Sequence, residues 1–278
     1  MNIEETQYLD LLKRLIEAPD KGDRTGVGTK SIFGHQMRFS LDNGKIPLLT
    51  TKKVFFRGVV EELLFFIRGE RDTKKLEDKG VNIWIGNTSR EFLDNKGLTN
   101  YEEGDMGPMY GSLWRDFDGV DQLKNSFNLI KADPNSRRNI ITAYHPAKAH
   151  LGVLYPCHTM IQFNVREDKL DCLWVQRSVD TFLGLSFNIA SYAVLAHLMA
   201  KATGLKAGDL IFQGGDTHLY SNHLEQAQIQ IQRDPYPFPT LKINKEISSI
   251  EDMEKIVFED FELINYQHHP AIKAPMAV

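Results

Sequence analysis

The stretch "CHTMIQFNVREDKLDCLWVQR" (residues 157–177) has the pattern of two strands joined by a short polar turn. In its first half Cys, Thr, Ile, Phe and Val alternate with His, Met, Gln and Asn, which is the period of a β-strand. If residues 167–168 occupy the centre of the turn, the register sets Cys157 opposite Ser178, with Arg177 one step away. The stretch therefore predicts an antiparallel hairpin that brings a cysteine next to a guanidinium group.

Cys157 has three possible roles: nucleophile, metal ligand or small apolar residue. A nearby guanidinium favours the thiolate, which is the reactive form of cysteine. His158 is the obvious base, but neighbouring residues of a strand point to opposite faces, so a Cys–His protease pair fits poorly. The only other cysteine is Cys172, and no C-x-x-C pair suggests zinc. The role of a small strand residue stays open for Cys157 and suits Cys172.

The remaining chain mixes helical and strand patterns without a regular βα alternation. This mixture predicts an α+β protein, a single domain over residues 1–278 built around one large mixed β-sheet with flanking helices. The segment 189–204 is apolar nearly all round, so we expect a buried helix that ends at Gly204. Further patterns predict an amphipathic helix at 3–17, a strand at 31–41, a helix at 55–69 and a turn feeding a strand at 133–146.

The composition is that of an ordinary globular protein. The 278 residues carry a formal charge of −4, with 42% hydrophobic and 25% charged residues, and give no reason to expect nucleic-acid or membrane partners. No apolar run approaches the ~18 residues that span a bilayer. The acidic N-terminus lacks a signal-peptide core, so we expect a cytoplasmic protein. Small phosphorylated ligands remain possible.

Glu62 is a candidate for proton transfer. In "FFRGVVEELLFFIRG" (55–69) the apolar residues follow one helix face, from which Glu61 points away, while Glu62 falls at its edge beside Phe66. Burial there would raise the pKa of Glu62 and suit it to moving protons near neutral pH. The alternative is an exposed carboxylate at the helix edge.

Polar residues elsewhere suit a phosphorylated nucleotide. Guanidinium groups bind phosphate bidentately, although each arginine alone could be a surface residue. The phosphate candidates are Arg24, Arg137, Arg138, Arg177 and Ser178.

Base and sugar contacts have candidates of their own. A fixed carboxamide at Asn188 can pair with the O4 and N3–H edge of uracil, or it can be a helix cap. His218 and Tyr220 can contact a sugar hydroxyl, although His218 alone would be unremarkable.

Nine motifs, in order along almost the whole chain, resemble the thymidylate synthase family. They are "DRTGVGT", "LLTTKK", "EELLFFIRG", "GPMYG", "DPNSRR", "PCH", "QRSVDTFLGLSFNIASYA", "GGDTHLYSNH" and "HPAIKAPMAV". The resemblance implies the thymidylate-synthase fold and a homodimer with back-to-back sheets. It also implies dUMP as substrate, 5,10-methylenetetrahydrofolate as one-carbon donor and reductant, and no metal.

The resemblance also implies roles for individual residues. Cys157 would add to C6 of the pyrimidine, Glu62 would act through ordered water on O4, and Tyr110 would assist proton loss from C5. The implied substrate-binding residues are Arg24, Arg177 and Ser178, with Arg137 and Arg138 donated across the dimer interface, and Asn188, His218 and Tyr220. The implied folate contacts are Lys52 at the glutamyl tail, Ile83, Trp84, Asp180, Leu183 and Phe187 at the rings, and the Val278 carboxylate at the lid.

The chain departs from the family pattern near the folate site. "YHP" (144–146) replaces the usual "WNP", Ile85 follows the folate-stacking Trp84, Phe65 replaces a tryptophan and Ser186 replaces a proline. Water admitted by such changes would give 5-hydroxymethyl-dUMP, the product of the related nucleotide hydroxymethylases. An inactive nucleotide-binding homologue is the third possibility, although the nucleophile and the phosphate arginines are all present.

Overall fold

The computed structural model describes residues 2–276, and its strands form two sheets. A six-stranded sheet has the order β1-β2-β6-β5-β4-β3, in which β5 and β6 run parallel and the other neighbours run antiparallel. The large mixed sheet predicted from the sequence is therefore confirmed. The strands are β1 (Asp20–Lys21), β2 (Thr29–Ser40), β3 (Ile140–Thr142), β4 (His158–Arg166), β5 (Lys169–Asp180), β6 (Lys206–Tyr220) and the separate pair β7 (Thr240–Ile243) and β8 (Phe261–Ile264).

Helices pack against this sheet and against one another. They are α1 (Ile3–Glu17), α2 (Phe56–Ile67), α3 (Lys74–Glu77), α4 (Ile85–Thr88), α5 (Arg90–Asn95), α6 (Gly111–Arg115), α7 (Gln122–Ala132), α8 (Gly184–Thr203), α9 (Leu224–Gln230) and α10 (Ile250–Glu254). Within residues 2–276, none of these helices is both long and apolar enough to cross a membrane.

The hairpin of β4 and β5 forms as predicted near its turn, where Val165 lies opposite Leu170. The register shifts by one residue between His158 and Met160, because a β-bulge inserts an extra residue into β4. The backbone N–H of Arg177 consequently donates to the Cys157 carbonyl at 2.9 Å. The predicted pairing of Cys157 with Ser178 is wrong, and the bulge brings Arg177 directly opposite the cysteine.

Helix α8 packs against β5 and β6 and is buried on nearly all sides. It ends at Gly204, whose φ of 78° is the left-handed conformation that glycine adopts without strain, as the sequence predicts. The helix begins five residues earlier than expected, at Gly184 instead of Ile189. Asn188 therefore lies inside the helix, and its interpretation as a helix cap is wrong.

Helix α2 is also covered on several sides, because α8, α6, α3 and α10 all contact it. Glu62 is only 7% exposed, so the exposed-edge alternative is wrong. Glu61, expected to point away from the core, is only 3% exposed. Its Oε2 forms an ion pair with the Nζ of Lys79 at 2.6 Å. A helical wheel assumes that the polar face of a helix is exposed to solvent. In this protein other helices also cover that face of α2, which explains why Glu61 is buried.

Helix α1 holds the segment that precedes α2. The buried carboxylate of Glu5 accepts the backbone N–H of Thr50 and of Thr51 at 2.8–3.1 Å, and the hydroxyls of both threonines at 2.6 and 2.8 Å. Tyr8, one turn further along α1, donates its hydroxyl to the carbonyl of Thr181 at 2.9 Å. One helix thus fixes both the segment before α2 and the residue that follows β5.

Candidate active site

A cleft of about 930 Å³ opens beside the C-terminal ends of β5 and β6. Its walls come from the loop between β1 and β2, from α5 and the residues around it, and from the segment before β4. Six residues selected from the sequence line it together, namely Arg24, Cys157, Arg177, Ser178, His218 and Tyr220.

Cys157 is half-buried on the cleft wall, with its Sγ 3.9 Å from the Tyr155 carbonyl. Burial raises the pKa of the thiol, and the opposing effects of Arg177 and of the Tyr110 hydroxyl do not outweigh it. The Arg177 side chain donates instead to the carbonyls of Pro156 and Tyr155, at 2.9 and 2.8 Å. The expectation of an easily formed thiolate therefore needs correction: the resting group is a thiol.

Tyr110 lies directly behind the cysteine. Its hydroxyl oxygen accepts the backbone N–H of Cys157 at 3.0 Å, and its ring lies 4.9 Å from the His158 ring and 5.3 Å from the Phe66 ring. The residue has a φ of 46°, an uncommon conformation for a bulky side chain, just before α6 begins. Burial raises the pKa of Tyr110 well above its usual value, so the phenol stays protonated at neutral pH.

The pKa of Glu62 is raised, as the sequence analysis predicted. Burial raises the pKa of its carboxyl to about 7, and a hydrogen bond from Trp84 opposes that shift. The indole Nε1–H of Trp84 donates to the carboxylate at 2.8 Å. Near neutral pH this carboxyl can both give and take a proton. The sequence placed Trp84 only on a folate wall and did not reveal this second contact.

Asn188 is held by a chain of oriented polar groups. The indole N–H of Trp174, which can only donate, faces the Gln176 Oε1 at 3.4 Å, so the Gln176 amide nitrogen points the other way. That nitrogen donates to the Asn188 Oδ1 and to the Ser178 carbonyl, both at 3.1 Å. Gln176 was missed in the sequence, although a buried polar residue in the apolar run "LDCLWVQ" is a signal that could have found it.

His158 belongs to the same polar layer. Burial lowers the pKa of its imidazole to about 4, so the ring is neutral. The hydroxyl of Tyr192 lies 3.1 Å from the ring Nδ1. The ring is therefore a fixed neutral hydrogen-bonding group beside Asn188, and it does not act as the base of a Cys–His pair.

Asp216, a carboxylate that the sequence analysis did not single out, orients His218 in the cleft. Asp216 Oδ1 lies 3.2 Å from the His218 Nδ1 and accepts the Ser31 hydroxyl at 3.0 Å, while Lys21 pairs with the other oxygen. This arrangement leaves the second nitrogen of His218 for a ligand, beside Tyr220, whose ring lies 5.2 Å away. The spacing Asp-x-His on a strand places both side chains on one face and was the available signal.

The five residues expected at the folate rings, four apolar side chains and one carboxylate, are not among the residues that line this cleft. The four wall residues Ile83, Trp84, Leu183 and Phe187 are half-buried at the edge of the core. The carboxylate of Asp180 accepts the backbone N–H groups of Phe182 and Leu183 at 3.2 and 3.3 Å. The half-buried Leu183 beside the fixed carboxylate of Asp180 is a combination that suits a flat heterocycle with N–H donors.

Lys52, expected to face the glutamyl tail, has its side chain directed into the protein. Its ammonium is buried, donates to the Phe182 carbonyl and lies 3.9 Å from the centre of the Phe182 ring. Burial lowers the pKa of Lys52 to about 7, with a smaller opposing effect of Asp180. Contact with a tail would require this side chain to turn. Val278, the residue expected at the lid, lies outside the described residues.

Two of the predicted phosphate arginines are not in the cleft of their own chain. Arg137 and Arg138 are exposed on the segment between α7 and β3 and do not line the cleft.

The residues that depart from the family pattern occupy different surroundings. Tyr144 lines the cleft and Ile85 is exposed. His145 stacks on Phe117 and lies 2.9 Å from Asp118, whereas Phe65 and Ser186 are buried.

The fold and the cleft define a protein of the thymidylate synthase class, and the chain belongs to that family, whose model, described as "Thymidylate synthase", matches residues 6–278. Its relatives include the bifunctional dihydrofolate reductase-thymidylate synthases of Leishmania amazonensis and Leishmania major, each 50% identical over 293 residues. Those alignments cover 100% of this chain and 56% of each relative. The corresponding protein of Paramecium tetraurelia is 50% identical over 289 residues, which cover 99% of this chain and 62% of the relative. The chain thus spans little more than half the length of these relatives.

Proposed function

We propose that the protein transfers and reduces a one-carbon unit from 5,10-methylenetetrahydrofolate to C5 of dUMP, giving dTMP and dihydrofolate. The observation that carries this proposal is a cysteine on the cleft wall in a chain of the thymidylate synthase family. Cys157 lies opposite Arg177, and its backbone N–H donates a hydrogen bond to the Tyr110 hydroxyl oxygen. The three relatives are named as thymidylate synthases, which favours methylation over hydroxymethylation.

The nucleophile becomes active when substrate arrives. The Cys157 thiol has a raised pKa at rest, so its S–H proton must leave to water as the sulfur adds to C6. The addition leaves C5 with enolate character, which a proton shared with O4 stabilises. Glu62, with a pKa of about 7, is suited to supply that proton through water. The phenol of Tyr110, protonated at neutral pH, would assist proton loss from C5 by ordering a water there.

Substrate recognition follows from the fixed polar groups. Asn188, oriented by Gln176, would donate to O4 and accept from N3–H of uracil, a pairing that cytosine cannot match. Arg24, Arg177 and Ser178 would bind the 5′-phosphate, and His218 with Tyr220 the sugar hydroxyl.

The folate supplies the carbon unit and the hydride when it is bound. Trp84, Leu183 and Phe187 would hold its rings and exclude water, and Asp180 would accept an N–H of the pterin. Lys52 would reach the glutamyl tail only after leaving the Phe182 carbonyl. Val278 stays a prediction, as do the single domain over residues 1–278 and the cytoplasmic location.

A homodimer would complete the phosphate site. Arg137 and Arg138 are exposed in the protomer and do not line its own cleft, which supports their donation to a partner. The β2 residue Phe33 is 89% exposed, an apolar group that back-to-back sheets would cover. Mixing Cys157→Ser protomers with Arg137→Gln protomers should restore about a quarter of wild-type activity, because half of the dimers then hold one intact site. No recovery would contradict a shared site.

Mass spectrometry of the nucleotide formed from dUMP and methylenetetrahydrofolate tests the reaction. A product heavier by one methylene unit, formed together with dihydrofolate, supports the synthase. Accumulation of 5-hydroxymethyl-dUMP with tetrahydrofolate would refute methylation and establish the hydroxymethylase. Binding of dUMP with neither product would point to the inactive homologue.

A further inference from the structure

Lys96 is a cation on the cleft wall to which neither the family pattern nor the sequence assigned a role. It follows the last residue of α5, is half-buried, and lines the same cleft as Arg24, Cys157 and Arg177. Its Nζ donates to the Val153 carbonyl at 2.6 Å. In the sequence "LDNKG" this residue resembles an ordinary surface lysine at a helix end, so nothing drew attention to it.

Lys96 and Arg177 both donate hydrogen bonds to carbonyls of the segment 153–156. Lys96 holds the Val153 carbonyl and lies 5.7 Å from the centre of the Tyr155 ring, while Arg177 holds the carbonyls of Tyr155 and Pro156. Only one of the three ammonium protons is used in the bond to Val153. Two protons remain for a ligand at the edge of the cleft.

Within the described residues 2–276, Arg24, Lys96 and Arg177 form no ion pair with a carboxylate. In the part of the chain from residue 2 to residue 276, no carboxylate oxygen lies within 4.0 Å of a charged nitrogen of Arg24, Lys96 or Arg177. Burial lowers the pKa of Lys96, and the like charge of Arg24 lowers it further. Uncompensated cations that repel each other destabilise the free protein and favour an anion between them.

We propose that Lys96 is a phosphate-binding residue, which completes with Arg24 and Arg177 the part of the phosphate site that one chain supplies. The inference rests on the proposed function, in which dUMP occupies this cleft. A folate glutamyl carboxylate is the other anion of suitable chemistry. The phosphate is favoured because Lys96 lines the same cleft as Arg24, Arg177 and Ser178, whereas Trp84 and Leu183, two of the residues expected at the folate, do not line it.

The test is equilibrium binding by calorimetry, with dUMP, deoxyuridine and inorganic phosphate as separate probes. Lys96→Met should weaken binding of dUMP and of inorganic phosphate about tenfold and leave deoxyuridine unchanged. Lys96→Arg, which keeps the charge, should stay within about threefold of wild type. Lys13→Met, at an exposed lysine of α1, controls for the change in net charge.

Three results would overturn the inference. Unchanged dUMP binding in Lys96→Met would remove the lysine from the phosphate site. An equal loss for dUMP and deoxyuridine would mean that Lys96 positions the segment of residues 153–157 instead of binding phosphate. A loss confined to the folate KM would assign it to the glutamyl tail. Wild-type protein that binds inorganic phosphate but not dUMP would contradict the proposed function. In that case the comparison of phosphate binding by wild type and Lys96→Met would still decide the role of Lys96.

Discussion

Replacing Trp84 with phenylalanine should raise the pKa of Glu62 and keep most of the apolar wall. The substitution removes the indole N–H that donates to the carboxylate at 2.8 Å. A hydrogen bond to a charged group contributes about 1.5–3 kcal/mol, and part of it survives when the carboxyl is protonated. A net loss of about 1.4 kcal/mol from the ionised form corresponds to about one pKa unit.

The pKa of Glu62, about 7 in the wild type, should therefore increase by about one unit in Trp84→Phe. NMR titration of protein labelled with ¹³C at the glutamate carboxyl carbon measures the shift without any turnover. The Glu62 resonance is identified by its absence in Glu62→Gln. Trp114→Phe is the matched control, because buried Trp114 packs on Phe66 and makes no hydrogen bond to Glu62. An inflection that moves by less than about 0.3 unit, or moves down, would refute the reasoning.

Three further predictions concern stability and selectivity. Because the folded pKa of Glu62 is raised from 4.5 to about 7, its favourable contribution is complete below about pH 4.5 and is lost as the pH rises through 7. Urea unfolding should therefore show Glu62→Gln more stable than wild type by up to roughly 3 kcal/mol above pH 8, and similar to it at pH 4; equal stability at both pH values would disprove burial of the charge. Glu5→Gln should lower the free energy of unfolding by about 2–4 kcal/mol, since it places an amide nitrogen among N–H and O–H donors. The neighbouring Glu4→Gln should cost about 1 kcal/mol or less, as expected for its partly exposed pair with Lys45, and similar losses for both would argue against the Glu5 network. Asn188→Asp should lower the preference for dUMP over dCMP at least about tenfold in competitive binding, and an unchanged ratio would place base selection elsewhere.

Short-range patterns in the sequence predicted the elements well where one rule governs them. The pairing of Val165 with Leu170 follows from a two-residue turn, and the end of α8 follows from a single glycine. The register at Cys157 failed because the period-two rule carries no information about an inserted residue. That single bulge decides which side chain lies opposite the nucleophile.

The failures inside the site share another cause, which is that several elements meet there. The burial of Glu61 and the second contact of Trp84 depend on helices distant in sequence. Lys52 points inward because a carbonyl and a ring of the segment after β5 lie beside it. The residue roles came from the family resemblance, whereas the residues alone left Cys157, Glu62 and Asn188 open between structural and chemical roles.

The most direct test follows the C6 carbon of the substrate. [6-¹³C]dUMP bound together with a folate analogue that cannot release its one-carbon unit should give an aliphatic C6 resonance with wild-type protein. With Cys157→Ser the resonance should remain olefinic although the nucleotide still binds. An olefinic C6 signal in the wild-type complex, under conditions in which the enzyme forms dTMP from the natural folate, would contradict the covalent role of Cys157.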